Sequence, residues 1–241
     1  MFEEIKYLIE NFWGFYLNGI YITLVIALFG TAFGVILGAI LAALRTVHIH
    51  HKDPKYIKVL KVVVSKLVAF YIFVVRGTPM MVQAVIFYYS IASGALSPVV
   101  TGIIIIAFNS AAYISEIFRG GIDSIDPGQL EASRSLGLSY YKSMRTVIMP
   151  QVFKNTMPSL MNMLILNVKD TSVLSVIGVS ELFNQAKAAA SENYFQTSTY
   201  VLVALIYLLL IYILTKIIDA VMKKERVSVD LSNQDIGGEI V

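Results

Sequence analysis

The sequence has no cysteine. That excludes a disulfide framework, a thiolate nucleophile and any cysteine-ligated metal. It is also short of charge. Only 15% of its 241 residues are Asp, Glu, Lys or Arg, against about 25% in soluble domains. The net charge of +3 is too small for a nucleic-acid partner. There is no Gly-x-x-x-x-Gly-Lys-Ser/Thr phosphate loop, no His-Glu-x-x-His pair and no Ser/His/Asp set. A disordered chain, a nucleic-acid binder and an ordinary cytosolic enzyme are therefore excluded. What the chain has instead is apolar content, with 57% hydrophobic residues and a mean hydropathy of +0.72. These values indicate a membrane protein.

The charges are absent in blocks. None lies between Glu10 and Arg45, between Arg76 and Glu116, or between Glu192 and Lys216. A fourth stretch from Asn155 is interrupted at Lys169-Asp170 and resumes through Ser180. Spanning segments need roughly 20 apolar residues and must satisfy their own backbone, so these are read as helices. The short alternating segments of a membrane β-barrel are missing. The first run is too long for a cleavable signal and follows Glu3, Glu4 and Glu10 rather than basic residues. Residues 2–16 read as a short amphipathic helix, with Trp13, Phe15 and Tyr16 in the interfacial aromatic belt.

Basic residues set the orientation. Arg45, Lys52, Lys55, Lys58 and Lys61 mark one cytoplasmic loop, which also holds His48, His50 and His51. These histidines read as solvated groups, and no metal site is expected. Arg119 to Lys154 forms a second cytoplasmic segment, and the tail with Lys223, Lys224 and Arg226 a third. The fold class is an all-α integral membrane protein, one transmembrane domain over 1–241. Five transmembrane helices are expected, N-terminus out and C-terminus in. The spans are 19–44, 57–93 as one net crossing broken near 76–79, 99–118, 156–177 and 197–222. The break follows from Pro79, which disfavours helix at Thr78.

Asp126 to Ser139 should be an ordered element in a cytoplasmic loop. Asp126 suits an N-cap, Pro127 the first helical position, Gln129 a capping box, and Gly137 a left-handed C-terminal stop. A capped helix facing water suits contact with another protein.

Ionisable groups at membrane depth are candidates for function. Lys169 lies about 15 residues beyond Lys154, roughly 22 Å along a helix. Asp170 is its neighbour and projects elsewhere, and Thr171 and Ser172 add hydroxyls. Asn109, Tyr113 and Glu116 share one helical face. Arg76 and Thr78 flank the break, where free backbone groups are available to a ligand. Two roles stay open for the charged groups: substrate contact, or ion pairs that brace or gate a pore. Gly30, Gly34, Gly38 and Ala42 form a small-residue stripe suited to close packing inside the subunit.

Glu131-Ala132-Ser133, then Gly137, Val147, Met149 and Pro150 carry the spacing of the EAA motif. Asn18-Gly19, Arg76-Gly77-Thr78-Pro79, Asn109 to Arg119 and Lys169-Asp170-Thr171-Ser172 add to the likeness. The chain thus resembles the permease subunits of bacterial ABC importers, polar amino acid branch, of the type I kind. The resemblance implies that 126–137 is the coupling helix, with Gln129, Glu131, Ala132, Ser133 and Gly137 meeting an ATPase. It implies two ATPase subunits that bind ATP and Mg, none in this chain. It also implies a second permease subunit, the same or related, and an extracytoplasmic amino acid-binding protein. The expected place is the bacterial inner (cytoplasmic) membrane, and the expected cargo is arginine, glutamine, histidine or similar. An ion-coupled secondary transporter or channel is the alternative.

Overall fold

The computed structural model describes residues 1–46 and 53–237, with side chains as far as residue 223. His48, His50, His51 and Lys52 of the expected basic loop lie outside the described residues, as do the side chains of Lys224 and Arg226. The described residues are helices joined by short turns. They are α1 (Phe2–Arg45), α2 (Lys55–Gly77), α3 (Met80–Phe87), α4 (Pro98–Asp123), α5 (Pro127–Ser135), α6 (Tyr140–Ser143), α7 (Met149–Asp170), α8 (Leu182–Asn193) and α9 (Gln196–Gly237). A wide turn at Tyr88–Ala92 extends α3, another at Met144–Ile148 joins α6 to α7, and a tight turn at Thr171–Ile177 ends α7. Among the described residues, four helices are long and apolar enough to cross a membrane: Phe2–Arg45, Pro98–Asp123, Tyr140–Ile177 and Gln196–Lys223.

The N-terminal segment corrects one expectation. Residues 2–16 do not form a separate interfacial helix; they open the 44-residue α1. Nothing between Tyr16 and Gly19 breaks a helix. The apolar stripe Leu8, Phe12 and Tyr16 is buried against Leu182, Ala186 and Ala189 of α8 and Leu202 and Val203 of α9. Tyr16 is thus core, whereas Trp13 and Phe15 stay exposed. Gly19 marks a close contact rather than a boundary, since a Cβ there would lie 2.7 Å from the Leu182 Cα.

The small-residue stripe lies against α4. A Cβ on Gly30 would meet Ile106 at 2.5 Å, one on Gly34 would meet Ser110 at 2.8 Å, and one on Gly38 would meet Ile114 at 2.6 Å. The seam is sealed by a buried polar knot. Asn167 of α7 donates to Thr31 of α1 at 2.7 Å and to Ser110 of α4 at 2.8 Å, and Thr31 donates to its own helix at Ala27. Three helices are thereby pinned at one level. Towards the other end, Ala42, Ile114, Phe118, Ile148, Val152, Leu160 and Met163 form a second packed cluster.

Because no space remains in this seam, Gly38→Leu is expected to cost about 1–3 kcal/mol through overpacking. The check is a lowered thermal unfolding midpoint in detergent. An exposed control, Gly14→Leu, should not lower it, as a Cβ there meets nothing within 4 Å and leucine is the better helix former.

Candidate functional site

The expected polar residues gather in three places. The first surrounds Glu116, half-buried on α4. Arg45 ends α1 and Arg76 lies in the last turn of α2, where helix dipoles favour cations. Both reach Glu116: Arg45 forms a close ion pair, and Arg76 approaches to 3.8 Å. Arg119, one turn on, adds contacts of 2.9 and 3.2 Å and also pairs with Asp123 at 3.0 Å. One carboxylate is thus shared among three guanidinium groups. Arg76 also lies over the Tyr113 ring, 5.5 Å from its centroid. Arg76, Tyr113 and Glu116 line a 590 Å³ cavity with Ser159 and Asn162 of α7. Pro158, on the same wall, lies inside the helix and removes an amide from the α7 ladder.

The second place is the break between α2 and α3. Thr78 is extended and Pro79 starts the next helix. Gln83 folds back onto the end of α2 and bonds Val75, Thr78 and Asn109. Asn109 is buried and accounts for the link from the break to α4. The third place holds Lys169 and Ser172, which line a 540 Å³ groove with Phe183 of α8 and Tyr200 and Tyr207 of α9. Lys169 is exposed and Asp170 half-buried; neither joins an ion pair within 4 Å among the described residues. Thr171 is buried, its hydroxyl donating to the Val168 carbonyl. Asn109, Tyr113, Glu116, Arg76 and Thr78 thus fall around α4 and the break, while Lys169 and Ser172 face α8 and α9.

Four participants were not expected. In the sequence Arg45 sits among the charges of a basic loop, Gln83 and Asn167 are single polar residues in apolar runs, and Glu181 is a lone carboxylate before an apolar pair. Glu181 is fully buried. It caps α8 through the Phe183 and Asn184 amides at 2.8 and 2.7 Å, and Tyr207 donates to it at 3.0 Å. The Leu182 amide beside it donates to Thr23 of α1 at 3.2 Å. Glu181 lies between the spanning segments. Burial pushes its carboxyl above the ordinary value, against the pull of those amides and of Tyr207. The sequence signal for it was a carboxylate directly before an apolar pair and an alanine-rich helix, a capping position.

The element Asp126–Ser139 presents the opposite face. Asp126 caps α5 by accepting from the Gly128 amide at 2.7 Å. Gln129 makes no side-chain bond back among the described residues, so the expected capping box is a simple cap. Gly137 has φ +86°, the left-handed stop, and the Leu138 amide closes on the Ser133 carbonyl at 3.2 Å. Ser133 is buried and bonds Leu130, whereas Gln129, Glu131, Ala132 and Gly137 are exposed. Leu136 of this segment is 85% exposed, and Tyr141 in the following α6 is 72% exposed. Among the described residues no cluster of His, Asp and Glu could hold a metal.

Residues 57–226 match the family model for the binding-protein-dependent transport system inner membrane component. The arginine transport system permease protein ArtQ of Bacillus subtilis is 34% identical over 213 residues, 87% of this chain and 92% of that protein. The putative glutamine transport system permease protein GlnP of Rickettsia typhi is 33% identical, covering 91% and 98%. Among solved structures, an amino acid ABC transporter aligns with a TM-score of 0.79 at 30% identity, over 92% of this chain and 97% of that one. The MetNI methionine ABC transporter shares the fold, with a TM-score of 0.73 at 18% identity, over 88% and 96%.

Glu181 gives a pH prediction. Its folded value is raised, so folding favours the neutral carboxyl. The stability this supplies is full below the ordinary glutamate value of about 4.3 and is lost as pH rises through the raised folded value. Unfolding midpoints of the wild type should therefore fall as pH rises above the ordinary glutamate range, and Glu181→Gln should flatten that slope.

Proposed function

The chain belongs to the family of binding-protein-dependent transport system inner membrane components, and from that premise we propose that it is the permease subunit of an ATP-driven importer for a polar amino acid. The single observation that carries the mechanism is the capped helix α5. It presents Glu131, Ala132, Arg134 and Leu136 outward beside the ends of the spanning helices. A short, capped helix facing water holds a fixed shape and suits a partner's groove. Residues 126–137 are the coupling helix, and Gln129, Glu131, Ala132, Ser133 and Gly137 carry or shape the contact.

Two permease subunits, identical or related, form the pore. Two ATPase subunits beneath them bind ATP and Mg, and an extracytoplasmic binding protein delivers cargo. Each permease crosses the membrane five times, N-terminus out and C-terminus in, with 57–93 making one net crossing. The basic residues Arg45, Lys55, Lys58 and Lys61, and Arg134, Lys142 and Arg145, support that orientation. ATP binding draws the coupling helices together and opens the pore outward; hydrolysis reverses this.

Substrate class is supported by the relatives named for arginine and glutamine transport. It is supported also by chemistry at the cavity beside α7. Arg76, exposed on one side and only loosely held by Glu116 at 3.8 Å, offers a cation to a carboxylate. Asn109, Tyr113, Glu116 and Thr78 supply acceptors and hydroxyls around α4 and the break, and Lys169 and Ser172, with Asp170 and Thr171 beside them in sequence, offer a second polar group at the groove against α8 and α9.

Three outcomes are expected in proteoliposomes holding the full complex. Uptake of labelled arginine, glutamine or histidine requires ATP and the binding protein; uptake driven by an ion gradient without ATP would establish the secondary-transporter alternative. Gly137→Asp abolishes substrate-stimulated ATP hydrolysis while membrane insertion persists, because φ +86° is strained for any side chain. Asn109→Ala and Asp170→Asn each lower uptake about tenfold or more, a loss near 1.4 kcal/mol of transition-state binding. Unchanged uptake in both would remove these residues from the pathway.

A further inference from the structure

The break between α2 and α3 leaves a defined set of oxygens without helical partners. The amide that would bond the Val75 carbonyl belongs to residue 79, and Pro79 has none. The Thr78 carbonyl is likewise outside the ladder, because the Val82 amide turns to Pro79 at 3.0 Å. The Thr78 hydroxyl spends its own proton on the Val74 carbonyl at 2.8 Å, leaving its lone pairs free. These three oxygens converge on one nitrogen, Nε2 of Gln83, at 2.8 Å (Val75 carbonyl), 3.0 Å (Thr78 carbonyl) and 2.8 Å (Thr78 hydroxyl).

A carboxamide nitrogen carries two hydrogens, so three acceptors oversubscribe it. An ammonium group carries three hydrogens and a positive charge. The oxygens also lie at the C-terminal end of α2, where the helix dipole favours a cation. The group that fits this seat best is therefore an ammonium, and Gln83 fills it imperfectly. The seat opens into a 550 Å³ groove walled by Tyr71, Val82, Ile105 and Phe108, with room for a side chain. Gln83 is tethered on its other side by Asn109, which donates to its Oε1 at 3.0 Å.

We propose that the Val75 and Thr78 carbonyls and the Thr78 hydroxyl form a seat for the ammonium group of the transported amino acid, and that Gln83 occupies it as an internal competitor until substrate displaces it. This rests on the function proposed above and adds to it a binding site and a regulating residue. When the ammonium enters, the Gln83 amide swings out and the seat exchanges a two-donor neutral ligand for a three-donor cation. A pathway closed by its own side chain in the absence of cargo does not leak small ions through the break.

The test uses the reconstituted complex with arginine, glutamine and histidine as probes. For each it also uses the same molecule with its α-amino group replaced by hydrogen. Gln83→Ala should lower the KM of the transported amino acid about threefold to tenfold, the worth of one net hydrogen bond no longer competed for. The inhibition constant of the amine-free analogue should stay unchanged. Thr78→Val should raise the KM of the amino acid and again leave the analogue unaffected. Gln83→Met, which keeps the bulk, should reproduce Gln83→Ala and separates loss of competition from loss of packing. A raised or unchanged KM in both Gln83 variants overturns the inference while the transport function stands, as does an equal shift for amino acid and analogue. If the wild-type complex takes up none of the three probes, the amino acid reading itself falls and the seat with it.

Discussion

The close approach of α1 and α4 is the constraint on which the rest of the structure depends. Lipid offers no hydrophobic drive for one helix to pack on another, so contact must come from fit. Gly30, Gly34 and Gly38 remove side chains along one stripe, and Ile106, Ser110 and Ile114 fill the space. That contact brings Thr31 and Ser110 within reach of one amide, Asn167, and a third helix is fixed to the pair. It also brings Arg45 at the end of α1 to Glu116. Glu116 and the three arginines around it offset one another's charge where α1, α2 and α4 meet.

The second organising feature is the break at Gly77-Thr78-Pro79. In a bilayer every orphaned carbonyl needs an internal partner. Pro79 creates orphans, and a side chain from the following helix, Gln83, satisfies them. The repair is made by a residue with a flexible stem rather than by the backbone. It can therefore be undone without unfolding anything. Polar chemistry is concentrated at the break and in the adjoining cavity at Arg76, with Tyr113 and Asn109 of α4 linking the two.

The two ends of the molecule are built differently. One end is a bundle of α8 and the first halves of α1 and α9, closed by Glu181, which accepts from the Phe183 and Asn184 amides and the Tyr207 hydroxyl. The other end carries α5, a short helix held by Asp126 and Gly137 that leaves Leu136 and Glu131 outward. A closely packed end resists change, and an exposed, well-capped end transmits it.

The helical class, the break at Pro79, the capped element at 126–137 and the packing role of the glycine stripe were all legible from residue order. Each rests on a local rule: hydrophobic run length, missing amide, cap chemistry and absent Cβ. The candidate site was legible as a set of residue types but not as an arrangement. Glu116 and Lys169 look alike in a sequence, as charges in apolar runs. Only packing places Glu116 beside Arg45, an apparent loop residue 71 positions away, and leaves Lys169 facing α8 and α9. The role of Gln83 depends on carbonyls that the end of α2 exposes, and the burial of Glu181 on α9, from which Tyr207 donates to it, so neither is legible from residue order. The amphipathic start of α1 was misplaced for the same reason, since its apolar stripe fits a membrane surface and a protein core equally well. Sequence thus determined the apolar helical runs and the stops at Pro79 and Gly137, because those are short-range consequences of covalent chemistry. The tertiary structure decided which polar group meets which, because that depends on contacts between segments far apart in the chain.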